Sequence, residues 1–153
     1  MTALGDQLDA LLALAETAAA ACSPKYDDVA IGAPVPRGRC VRLWWSGEAI
    51  PAPQMGGSRY TLNSELVGAG VVVTVFEPFS DLGEEVTANA MVNMATFIDG
   101  LRSGIDADRT LGGKTIAVEP EATPAEYAQL GQVVYGFASM AMQTGMTEYL
   151  IGG

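Results

Sequence analysis

Three strand-length runs in this chain carry apolar residues on both sides, and only two long amphipathic helices are available to cover them. In "CVRLWW", side-chain alternation puts Val41, Leu43 and Trp45 on one side and Cys40, Arg42 and Trp44 on the other. "VVVTVF" sets Val71, Val73 and Val75 against Val72, Thr74 and Phe76. "VVYGFASMAMQ" sets Val133, Tyr135 and Phe137 against Val134, Gly136, Ala138, Met140 and Met142. Two helices pack comfortably on one face of such a sheet only. The expected fold class is therefore α+β, a mostly antiparallel sheet of about five strands with two long helices packed on one face. The 153 residues are read as a single domain, 1–153. A chain of that length buries roughly 70% of the surface its unfolded form exposes, enough for a real core.

The remaining elements follow from periodicity and punctuation. Leu4, Leu8, Leu11, Leu12 and Ala15 recur at helical spacing, with Asp6, Gln7, Asp9 and Glu16 mostly opposite, which predicts a first helix over residues 3–22. Ser23-Pro24 stops it, and the stretch to Arg37, with Pro34 and Pro36, reads as an extended crossing. Residues 47–57, with Pro51, Pro53 and a Gly-Gly pair, read as an irregular surface loop, and "RYTLNSEL" as a strand with one wet face. Gly68-Ala69-Gly70 suggests a turn or bulge, and Pro78 the end of the following strand. Asp81 and Glu84 resemble a capping box for a second helix over residues 83–103, with Val86, Ala90, Met94, Phe97 and Leu101 as its stripe and Gly104 as its C-cap. "KTIAVEP" reads as a short strand, and Thr123-Pro124-Ala125-Glu126 as the start of a brief helical turn.

Charge and residue inventory exclude several functions. Eight basic against eighteen acidic residues give a formal charge of −10, which repels phosphate backbones and anionic membranes and opposes specific nucleic-acid binding. No run of about 18 apolar residues could span a membrane, and the N-terminal residues lack the pattern of a signal peptide, so a cytoplasmic origin is expected. Half the residues are hydrophobic (49%) and only 17% are charged, an excess that suggests burial between subunits. Cys22 and Cys40 match no disulfide framework or metal pattern and read as two packed thiols. The absence of histidine removes the commonest general base and metal ligand, and leaves the serines without a histidine to activate them.

The segments that look chemical fail on inspection. "GGKT" echoes the end of a phosphate-binding loop, but Asp108 stands where its first glycine belongs, and a strand follows where a helix is required. "DADRTLG" spaces its acids like a calcium loop, yet Leu111 replaces the obligatory glycine and Ala117 the bidentate glutamate. Gly68-Ala69-Gly70 lacks the third glycine of a dinucleotide fingerprint. Glu119 and Glu121 flank Pro120 with nothing apolar beside them to raise a pKa, and the methionines read as core filler. No catalytic residue, cofactor or metal is expected, and no enzyme.

What lies against the second face of the sheet is then the functional question. Trp44 beside Arg42 pairs two residue types that dominate interface energetics, which favours a second subunit; a cover formed by the Pro-rich loop of the same chain is the alternative. The element order, through "SELVGAGVVVTVFEP", "ANAMVNMATFIDGL", "KTIAVEPEATPAEY" and "VVYGFASMAMQT", resembles that of the small tail terminator proteins of long-tailed bacteriophages over nearly the whole chain. The resemblance rests on length, element order and the two-faced last strand. It implies a structural virion protein, assembled in the host cytoplasm, that forms a homo-oligomeric ring, usually a hexamer. Such a ring caps the tail tube, ends its polymerisation and joins the tail to the head-completion or connector protein, while DNA passes through the channel without specific binding. On that reading Arg39, Arg42 and Trp44 are expected at or near the subunit contact, and the loop with Pro51, Pro53 and Met55 is expected to meet the tail tube or a neck partner. Another neck protein, of the tail-completion or head-closure kind, and a small dimeric ligand-binding α+β protein are the alternatives.

Overall fold

A computed structural model describes residues 4–49, 64–79, 84–113, 118–123 and 125–149. Among them are two helices, α1 (Leu4–Ala20) and α2 (Glu84–Ala107), and six strands: β1 (Val29–Ile31), β2 (Cys40–Ala49), β3 (Ser64–Phe79), β4 (Val118–Ala122), β5 (Glu126–Leu130) and β6 (Val133–Tyr149). The sheet runs β1-β2-β3-β6-β4, with β5 also paired to β6. Among the described residues only the short edge pairing of β1 with β2 is parallel, and every other pairing is antiparallel. The fold is therefore α+β with a mostly antiparallel sheet, as the alternation patterns require.

Both helices cover one face. Val41, Leu43, Val71, Val73, Val75, Ala138, Met140 and Met142 point into the core, where Leu11, Ala15, Ala18 and Ala19 of α1 meet Ala90, Met94, Phe97, Leu101 and Ile105 of α2. Each fully buried Leu, Met or Phe among these contributes roughly 1.5–3 kcal/mol of transfer free energy. The two helices approach most closely at Gly104, where α2 offers no side chain, while at Gly100 there is room for one. A β-carbon on Gly100 would lie 3.4 Å from the Ala18 Cβ, and one on Gly104 would lie 3.2 Å from the Leu14 Cδ2. Gly104 is thus a packing residue inside α2 rather than its C-cap, and the helix runs on to Ala107. At its end Asp108 accepts hydrogen bonds from the Thr110 and Gly112 amides and from the Thr110 hydroxyl, which hold its carboxyl below the usual range.

Several sequence expectations are corrected. Gln7 is buried with Leu11, Ala15 and Ala18, because steps of four, four and three place it on the inward stripe of α1. The Gly68-Ala69-Gly70 segment forms no turn, since β3 runs through it in unbroken register with Thr144, Gln143 and Gly145 of β6. The irregularity sits on the neighbouring strand instead, where the register against β3 shifts between Trp45 and Gly47. Pro78 does not end β3, which continues to Phe79. The expected helical turn after Thr123 is absent: residues 126–130 pair with residues 133–137 in a hairpin closed by Gly131-Gln132, with Gly131 at φ 68°. A two-residue loop with a left-handed glycine first is strand-closing chemistry, and the β-ladder overrides the local capping signal. The extended crossing contains β1, and β2 continues to Ala49 before the Pro-rich stretch.

Candidate interaction surface

Register defines four cross-strand rows on the face that the helices leave uncovered. Cys40, Phe76 and Phe137 form the first; Arg42, Thr74 and Ser139 the second; Trp44, Val72, Ala141 and Glu121 the third; Gly47, Gly70, Gln143 and Glu119 the fourth. Beyond the last row Gly68 faces Gly145. This face is graded in chemistry, and the described residues cover only part of it.

The first row is buried within the single chain. Phe76 meets the Tyr135 ring edge-on at 6.4 Å and the Phe137 ring at 6.1 Å, and Cys40 is buried beside them. The segment 32–39 reaches across to this cluster, where the Gly38 amide donates to the Tyr135 hydroxyl at 3.2 Å. Burial pushes the Cys40 thiol above its ordinary pKa, and the same effect leads at Cys22 on the other side of the sheet, so both are protonated at neutral pH.

The second row is polar and internally satisfied. Arg42 donates from Nη2 to Asp28 Oδ2 at 2.7 Å and from Nη1 to Asp28 Oδ1 at 2.9 Å, a two-pronged pair. These bonds hold the Asp28 carboxyl below its usual range and raise the guanidinium. The Thr74 and Ser139 hydroxyls share a hydrogen bond at 3.0 Å. Asp28 precedes β1 and its carbonyl accepts from the Val41 amide, so the ion pair locks the short parallel strand onto β2.

The third row opens to solvent. Trp44 is 44% exposed, and the β-bulge follows immediately after Trp45, which is 43% exposed on the opposite side of the strand. Past Trp44 the register brings Gly47, Gly70, Gly68 and Gly145 onto the same face.

Arg39 lies apart from this face. With Glu77 it stands on the helix-covered side, where its Nε is 2.9 Å from each Glu77 carboxylate oxygen. Its Nη1 and Nη2 donate to the carbonyls of Lys25 and Pro24, and its guanidinium stacks 4.0 Å over the Tyr26 ring. The Tyr26 hydroxyl donates to Glu77 Oε1 at 2.5 Å. Burial first, and then this bond to a carboxylate, push the phenol well above its ordinary value. The result is a clasp joining the exit of α1 to β2 and β3.

Of the residues selected from sequence, Arg42 and Trp44 are neighbours on the uncovered face, Arg39 is an internal clasp, and Pro51, Pro53 and Met55 lie outside the described residues. Sequence reasoning missed Tyr26, Asp28 and Glu77. The available signal was Glu77 itself: an acid two residues past Val75 falls on the buried parity of its strand and must find a cation.

Among the described residues no cluster of three or more Cys, Asp or Glu could hold a metal ion. No helix among them is long and apolar enough to cross a membrane. No protein-family model matches the chain, and comparison with curated proteins gives no match.

Proposed function

We propose that this chain is a structural virion protein, the tail terminator subunit of a long-tailed bacteriophage. It forms a ring, a hexamer in the favoured arrangement, that caps the tail tube, stops its growth and presents a docking surface to the head connector. The observation that carries the reading is Trp44, half exposed on the sheet face beside a row of polar side chains that already satisfy one another. A large aromatic held on a strand, with Arg42 anchored beside it by Asp28, is a rigid anchor that loses little side-chain entropy when a neighbour covers it. A repeated head-to-tail contact of this kind closes into a ring when its rotation permits.

The charge balance fits the same role. A formal charge of −10 per subunit keeps a DNA channel from retaining its cargo, because like charge suppresses nonspecific binding. Negative-stain images of the purified protein are expected to contain annular particles with six-fold class averages, and mixing with sheared tail tubes is expected to place them at tube ends. Small compact particles that ignore tube ends would overturn the proposal.

A further inference from the structure

We draw no further inference here: the strongest candidate, the glycine patch that Gly47, Gly68, Gly70 and Gly145 form beside half-exposed Trp44, is a cluster of small residues on an unpartnered sheet face, and nothing in the structure shows what covers it.

Discussion

At the scale of single residues, the polar groups set how stability responds to pH. Tyr26 has a folded-state pKa raised above its unfolded value near 10, so its contribution is complete below that value and declines as the pH rises past it. Tyr26→Phe is expected to lower stability at neutral pH by roughly 1.5–3 kcal/mol, the range for losing a hydrogen bond to a charged group, and to flatten the decline above about pH 10. Urea titrations at neutral and alkaline pH measure both effects, and an unchanged alkaline slope would contradict the clasp. Asp28 has the opposite sign: its depressed folded pKa gives stability that is present above the unfolded value of about 3.9 and lost on further acidification. Asp28→Asn is expected to reduce the acid dependence below about pH 4, read as the change in urea midpoint between neutral and acid conditions.

At the scale of elements, packing depends on where side chains are missing. A β-carbon on Gly136 would fall 2.1 Å from the Phe79 Cζ, because that ring lies over the glycine of the adjoining strand. Gly136→Ala is therefore expected to cost about 1–3 kcal/mol, as overpacking does, and a melting temperature equal to that of the parent would show that the ring moves freely. Gly100 in α2 should behave differently. Its β-carbon would make ordinary contact with Ala18 at 3.4 Å, so Gly100→Ala is expected to raise stability by up to about 1 kcal/mol through helix propensity, measured as a shift of the urea midpoint.

The same elements show what the sequence makes legible. Strand alternation grouped Val41 with Leu43, and Val71 with Val73 and Val75, and these are buried under the helices because a period of two leaves one alternative per strand; Trp45, grouped with Val41 and Leu43, is instead 43% exposed beside the register shift. Helix stripes were equally readable at Ala90, Met94, Phe97 and Leu101. The hairpin after Thr123 was missed because its capping signal is local, whereas the pairing of residues 126–130 with β6 is decided by the sheet. Gly104 was read as a stop because a glycine's role in close helix approach depends on Leu14, ninety residues earlier in the chain. Strand parity marks Glu77 as an acid in need of partners, but that these are Arg39 and Tyr26 was illegible for the same reason: strand register and the turn after α1 bring them together.

At the scale of the whole molecule, assembly turns on the graded sheet face. The chain closes one end of that face with Phe76, Tyr135 and Phe137, ties down its middle with Arg42 and Asp28, and leaves Trp44 at the boundary. Trp44→Glu is expected to weaken subunit association by about 2 kcal/mol or more, roughly thirtyfold per contact, while thermal unfolding of the protomer stays cooperative. The most direct test is the native mass of the purified protein by light scattering coupled to size exclusion, across protein concentration and salt, for the parent and for Trp44→Glu. The expected result is a parent species of about six times the 15.9 kDa chain mass that shifts towards a folded monomer in the variant. A parent that is monomeric or dimeric at every concentration, or a ring indifferent to Trp44→Glu, would contradict it.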